Sequence, residues 1–299
     1  MLKRLMSSEF NKNVLKLMTG STIAQAIPIA ISPILTRIYT PNDFGVLALF
    51  VAITAIFGVV ANGRYELAIV LPKKEEDSIN LVALSVSISF LISLVLLIIV
   101  LLFNNKIAIW LGNEDIRIWL YFIPLVVFFI GLFNALNYLN TRLKNFGLIS
   151  KVKIIKSLTL SSVQLIMGIF RFGASGLISQ IVSHLFTNMR LAKSTLKNKA
   201  LIAKISVKEM FRLSKRYSNF PKFSMPATLA NTLSQYLLNF FLPLLYSVAT
   251  LGYYSLVQRI LGMPTTVIGT SVGQVFFQKA TEERIKTGNA SHIFIATIK

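Results

Sequence analysis

Charged and amide side chains inside long apolar stretches are the residues of this sequence that could do chemistry. Arg259 falls within the apolar stretch 251–277, with Gln258 beside it. A guanidinium at membrane depth costs roughly 2.5–3.5 kcal/mol to insert, so it is usually retained for a function such as binding an anion. We therefore take Arg259 as the first candidate for a binding residue. The alternative is a side chain that extends along its helix to the membrane surface.

A second candidate pair lies in the motif NGRYE at residues 62–66. A further apolar stretch follows at 67–72, so Arg64 and Glu66 are predicted to remain within a membrane helix. Two interpretations stay open for them. They either face a water-filled cavity or form a structural ion pair at the membrane interface.

Three other polar residues belong to the candidate set. Arg37 follows the first apolar stretch and is predicted at the outer rim of the membrane. Gln25 and Gln235 lie at matching depths, and each amide can both donate and accept hydrogen bonds. They either bind a polyhydroxylated ligand or bond to a neighbouring helix.

The composition indicates that long membrane helices hold these residues. Hydrophobic residues make up 54% of the 299-residue chain, and the mean hydropathy is +0.67. A spanning helix needs about 20 apolar residues, and such stretches recur along the chain. We predict an all-α membrane protein with about eight transmembrane helices. The predicted spans cover residues 17–36, 44–63, 79–105, 118–141, 152–170 and 172–189, and two more follow residue 223, separated by a tight external turn near 250–252.

The distribution of the positive charges, which give a net charge of +20, indicates how the chain is oriented in the membrane and does not indicate a nucleic-acid partner. Most Lys and Arg fall in alternate loops, which places those loops and the N-terminus in the cytoplasm. The predicted external loops contain only Arg37, Lys106, Arg117 and Arg171. The chain has no cysteine, which excludes disulfides and thiolate metal sites, and no hydrolase or phosphate-loop motif is present. We therefore predict neither an enzyme nor a cofactor.

A weak internal repeat divides the chain into unequal parts. A shift of about 210 residues aligns Gln25 with Gln235, and a slightly shorter shift aligns Gly45 with Gly252. This predicts a six-helix lobe at 1–189, a basic cytoplasmic linker at 190–222 and the start of a second, incomplete lobe at 223–299, and hence a C-terminally truncated protein. The linker is either a solvated loop or a helix that lies on the membrane surface near anionic headgroups.

Four motifs carry a resemblance to a known family: LTRIYTPNDFG at 35–45, GRYELAIVLP at 63–72, YSNFP at 217–221 and GYYSL at 252–256. The chain resembles the bacterial polysaccharide-unit (O-antigen type) flippases of the multidrug/oligosaccharidyl-lipid/polysaccharide transporter superfamily. The resemblance implies translocation of undecaprenyl-diphosphate-linked oligosaccharides across the inner membrane for surface polysaccharide and lipopolysaccharide biosynthesis. The implied partners are that lipid-linked oligosaccharide, membrane lipids and other surface-polysaccharide assembly proteins.

The resemblance also assigns roles to the candidate residues. It implies that Arg37, Arg64 and Arg259 line a cationic cavity for the diphosphate, with Gln25 and Glu66 as polar companions. Two rival functions remain at this point. A cation or drug exporter of the same superfamily would need a buried carboxylate, and a membrane polymerase acting on the same lipid-linked glycan would need a sizeable external loop.

Overall fold

The computed structural model describes residues 8–178, 180–196, 202–261, 273, 275–285, 288–289 and 293–295. Across these residues the regular structure is entirely helical. A long apolar chain in lipid can satisfy its backbone hydrogen bonds only internally, so helices are the expected result. Among the described residues, the helices that position the site are α1 (Ser8–Ile38), α2 (Pro41–Val60), α3 (Glu75–Trp110), α4 (Ile123–Arg142), α5 (Phe146–Ile169), α6 (Gln180–Leu196), α7 (Val207–Arg216), α8 (Met225–Leu245) and α9 (Val248–Leu261).

Five of the described helices, α1 to α5, are long and apolar enough to cross a membrane. The predicted all-α membrane fold is thereby confirmed, whereas the total of eight spans stays a prediction. The middle of α3 presents an exposed apolar surface, with Phe90, Val95 and Leu102 each more than half exposed. Such a surface is unfavourable in water and suits contact with lipid.

The connections between helices fall at two opposite ends of the bundle. We call one the Thr40 end; it contains the α1–α2 connection and the segment 111–116 after α3. We call the other the linker end; it contains residues 61–74 and the approach to α7. A π-helix, Phe220–Ser224, joins the linker-end helix α7 to α8.

The α1–α2 connection is short because a capping box stops one helix and starts the next. The Thr40 hydroxyl accepts a hydrogen bond from Asp43 N at 3.2 Å, and the Asp43 carboxylate accepts one from Thr40 N at 2.9 Å. Pro41 occupies the first turn of α2, where no backbone donor is needed. The TPND part of the first motif therefore has a structural role.

Packing divides the described helices into two groups. In the first group, α1 packs on α5, and α4 packs on both α3 and α6. In the second, α8 and α9 pack against α2. The largest apolar core surrounds α2, where Leu49 and Phe50 are completely buried. Helix α2 is thus the element that joins the two groups.

Several predicted boundaries differ from the structure. Helix α5 begins at Phe146, six residues before the predicted start of its span. In the sixth predicted span, a short helix, Ala174–Ile178, precedes α6. The predicted turn at 250–252 is wrong, because α9 already begins at Val248. Ser247 caps that start, since its hydroxyl accepts a hydrogen bond from Thr250 N at 3.1 Å.

Candidate functional site

A cavity of about 630 Å³ lies between α2, α5, α8 and α9. Its walls therefore come from both packing groups, which is the position expected for a ligand site between mobile halves. Apolar residues of α2 form one wall, and polar residues concentrate on the other three helices. The lining residues are Phe44, Leu47, Ala48, Val51, Leu160, Gln164, Gln235, Tyr236, Asn239, Tyr254, Ser255, Leu256, Gln258 and Arg259.

The structure brings three predicted site residues together in this cavity: Gln235, Gln258 and Arg259. Gln235 and Asn239 are four residues apart on α8, so both project from the same face of that helix. The Asn239 amide donates to the Ala48 carbonyl of α2 at 3.3 Å, and this bond holds α8 against α2.

Among the described residues that line the cavity, Arg259 alone is charged. It lies about 16 Å along α9 from Val248, one helical turn deeper than a start at Gly252 predicts. Its side chain is half-buried, and none of the described carboxylates lies within ion-pair distance of it. Beside it, the Gln258 amide donates to the Tyr254 hydroxyl at 2.8 Å. An uncompensated guanidinium among neutral hydrogen-bonding groups favours an anionic, polar ligand.

Arg64 and Glu66 lie outside this cavity. The prediction that they continue the membrane helix is wrong, because α2 ends at Val60 and a 3-10 helix, Tyr65–Val70, follows a tight turn. Gly63 and Arg64 adopt φ values of 57° and 62° in that turn. A right-handed helix cannot continue through left-handed backbone, so the chain leaves the helix there. This conformation is easy for glycine and costs a side-chain-bearing residue about 1 kcal/mol or more.

The turn holds Arg64 and Glu66 together as a buried ion pair. Their side chains approach to 3.3 Å, and the Glu66 carboxylate is only 3% exposed. The Asn62 amide ties the turn to α3 and α4 by donating to the carbonyls of Ser85 and Gly131, both at 3.1 Å. The pair is thus built into the packing between the 3-10 helix and these two helices.

Arg37 and Gln25 are also separate from the cavity. Arg37 is exposed in the last turn of α1, at the Thr40 end, as its sequence position predicts. Gln25 is half-buried on α1, next to Ala24, whose carbonyl accepts a hydrogen bond from Ser157 of α5. Neither residue lines the space that Arg259 occupies.

Two lysines in the interior of α5, Lys153 and Lys156, are absent from the predicted site residues. Both lie in the predicted span 152–170, and the structure places them well inside the helix. Lys153 Nζ donates to the Ser21 hydroxyl of α1 at 3.1 Å, and Lys156 Nζ lies 5.2 Å from the Phe133 ring centre. The long apolar stretch after Lys156 gave no signal that the helix begins at Phe146.

Two amides of the cavity were also missed. Gln164 and Asn239 lie in apolar stretches, so the criterion that selected Gln25 applies to them equally. Lys153 lies seven residues before Leu160 and eleven before Gln164 on α5, a spacing that puts it on the same face as these two lining residues. Lys153 therefore lies on the cavity side of α5, nearer the linker end than the lining residues.

The family model described as "Polysaccharide biosynthesis protein" matches residues 34–288. The chain belongs to this family. The match includes the cavity-lining residues of all four helices and the Arg64–Glu66 turn. No curated protein matches this family member by sequence.

Solved structures show the fold of this polysaccharide biosynthesis protein. The MATE multidrug transporter DinF-BH, solved as a complex, superposes with a TM-score of 0.62 at 12% identity, over 100% of this chain and 72% of that one. The MATE transporter ClbM, solved in complex with Rb+, gives a TM-score of 0.56 at 14% identity, over 100% of this chain and 68% of that one. A chain named protein A superposes with a TM-score of 0.71 at 12% identity, over 93% of this chain and 66% of that one.

The chain therefore spans about two thirds of the length of the structures it matches. At these identities the likeness establishes a MATE-like transporter fold. Together with the family match, it confirms the predicted membership of the multidrug/oligosaccharidyl-lipid/polysaccharide superfamily. The chain is thus a multipass membrane protein of a transporter superfamily.

Proposed function

We propose that this polysaccharide biosynthesis protein translocates undecaprenyl-diphosphate-linked oligosaccharide units across the bacterial inner membrane. The observation that carries the proposal is the composition of the cavity. Arg259 provides one uncompensated positive charge, and four amides and two tyrosines surround the space. An anionic diphosphate joined to a polyhydroxylated glycan matches both features.

The chemistry of each cavity group fits one part of such a cargo. The Arg259 guanidinium can form two parallel, charge-assisted hydrogen bonds to phosphate oxygens. Gln235 and Gln258 each offer donors and acceptors suited to sugar hydroxyls. A volume of about 630 Å³ lies within the range of small-ligand sites, so it suits the headgroup, while the polyprenyl chain stays in lipid.

The packing supports an alternating-access cycle. The cavity lies between the group that contains α5 and the group that contains α8 and α9, so relative rocking of the groups would open it to each side in turn. At the Thr40 end, α9 of the second group crosses the joining helix α2 at Gly45 and Gly252. With the N-terminus in the cytoplasm, this contact closes the periplasmic side.

Export of cationic drugs, the first rival, is less well supported by the same cavity. A site for a cation requires a negative partner, and the lining residues in the described part of the chain include no Asp or Glu. The carboxylate that the sequence suggests for such a role, Glu66, is engaged by Arg64 in a separate part of the fold. Enzymatic polymerisation, the second rival, has no support in the superfamily's transporter fold. Transport of an anionic glycan lipid is therefore the function that the cavity favours.

The test is complementation of a host whose own flippase gene is deleted and whose surface glycan matches. We expect the wild-type gene to restore export and Arg259→Ala to lower it about tenfold or more at equal expression. Loss of a charge-assisted hydrogen bond costs roughly 1.5–3 kcal/mol, which corresponds to that factor. Surface glycan is measured by immunoblot and lipid-linked intermediate by its accumulation inside the cell.

Arg117→Ala is the matched control, because it removes an exposed arginine at the Thr40 end and leaves the cavity intact. It should export normally. Export by Arg259→Ala at the wild-type rate would remove Arg259 from the transport path. If the wild-type gene restores glycan export in no matching host but confers drug resistance, the protein is a drug exporter and not a flippase.

A further inference from the structure

We propose that helix α7 and its flanks form a binding surface for anionic phospholipid. The surface consists of Val207 and Phe211, which form an apolar stripe, and of Lys208 and Lys215, which flank it. We call these four residues the α7 outer face. The partner is the leaflet at the linker end of the bundle, and the argument does not depend on which substrate is transported.

The inner face of α7 is firmly attached to the bundle. Leu213 is completely buried, and the Tyr65 hydroxyl donates to the Ser214 carbonyl at 3.0 Å. At the start of the segment, Ser206 N donates to the Asn80 side chain of α3 at 2.9 Å. These contacts fix the rotation of α7, so its opposite face must point away from the protein.

Charge pairing strengthens the attachment and identifies which cations are already used. Arg212 bonds to Asp77 of α3 at 2.6 Å and to Glu209 at 2.7 Å. The hydrogen bond to Glu209, followed by the charge of Asp77, raises the pKa of Arg212 above its usual range. Lys204 similarly pairs with Glu76. The positive charges of these two residues therefore serve the contact between α7 and α3.

The outer face has the opposite character. Val207 is 81% exposed and Phe211 is 62% exposed, and their spacing of four residues aligns them along one side of the helix. Lys208 and Lys215 are exposed, and neither forms a salt bridge with the described residues. Lys215 Nζ lies 4.6 Å from the Phe211 ring centre, so charge and apolar surface adjoin. The outer face therefore combines exposed apolar surface with uncompensated positive charge.

The depth of α7 places this face at a membrane surface. Its partners on α3, Asp77 and Asn80, lie in the first turns of that helix, where charged residues give way to the apolar stretch that begins at Ile79. A helix held at that level meets headgroups and the outermost acyl chains. An apolar stripe flanked by lysines is the pattern of helices that bind anionic leaflets.

The absence of cysteine allows a direct test on the whole chain. Val207→Cys is labelled with an environment-sensitive fluorophore, and the protein is reconstituted into vesicles of phosphatidylcholine alone or with about one third phosphatidylglycerol. We expect blue-shifted emission and quenching by brominated acyl chains in the anionic vesicles. The equilibrium constant for contact of the label with lipid should fall about thirtyfold when Lys208→Gln and Lys215→Gln are added, because each lysine contributes roughly 1 kcal/mol at an anionic surface.

The control adds Lys106→Gln and Arg117→Gln instead, which removes the same charge at the Thr40 end. It should leave the emission unchanged. Water-like emission in both vesicle types would overturn the proposal, and so would equal burial in neutral and anionic vesicles. Both readouts are independent of glycan export, so they distinguish this surface from the proposed transport function.

Discussion

Gly252→Val is expected to separate α2 from α9 and to abolish transport. A Cβ atom at Gly252 would lie 1.9 Å from the Pro41 carbonyl oxygen, far inside van der Waals contact. The obstacle is backbone, so no side chain can move aside and the helices must part. Overpacking of this kind costs typically 1–3 kcal/mol, and here we expect the upper end, with an unfolding temperature lower by on the order of 5–10 °C.

The measurement is the unfolding temperature of the purified protein in detergent, together with glycan export at equal expression. Gly45→Ala should act in the same direction, because its Cβ would lie 2.1 Å from the Val248 carbonyl oxygen. Gly147→Ala is the matched control, since no atom beyond its chain neighbours and its own helix backbone lies within 4 Å of the added methyl group. A Gly252→Val protein as stable and active as Gly147→Ala would contradict the helix contact.

Arg64→Ala should produce the second large effect. It leaves the Glu66 carboxylate, 3% exposed, as a buried charge without its partner. Breaking a buried pair costs roughly 3–5 kcal/mol. Because the Arg64 side chain is 23% exposed and the pair is partly solvated, we expect about 2–4 kcal/mol, measured as the fall in unfolding temperature in detergent.

Two companion variants separate charge from backbone conformation. Arg64→Gly should be less destabilising than Arg64→Ala by about 1 kcal/mol, because glycine adopts the φ of 62° freely. Adding Glu66→Gln to Arg64→Ala should recover at least half of the loss, since a neutral amide is less costly to bury than an unpaired carboxylate. If the double variant is no more stable than Arg64→Ala, the buried charge does not cause the loss.

Local signals in the sequence predicted the helices well. The apolar stretches forced helical structure because lipid offers no backbone hydrogen bonds, and the TPND motif encodes the α1–α2 connection through its own capping bonds. Arg259 could be singled out because a charge at membrane depth is costly. Its grouping with Gln235 and Gln258 required only that α8 and α9 pack side by side.

Features that depend on contact with another helix could not be predicted from the local sequence alone. Gly252 predicted a turn, yet it lies inside α9. The residue there is a glycine because α2 approaches too closely for any side chain. Its alignment with Gly45 in the sequence repeat now has a physical reason, since the two glycines meet at the same helix crossing. The start of α5 was equally hidden, because Lys153 and Lys156 find their partners on α1 and α4.

The π-helix at Phe220–Ser224 sets the rotational phase of everything that follows it. A π-turn accommodates one more residue than an α-turn, and each residue of an α-helix advances the side-chain direction by about 100°. The direction in which the face with Gln235 and Asn239 points is therefore set by five residues that do not line the cavity. Without the extra residue, those amides would turn about a quarter of a revolution away from Arg259, and the polar wall of the cavity would face elsewhere.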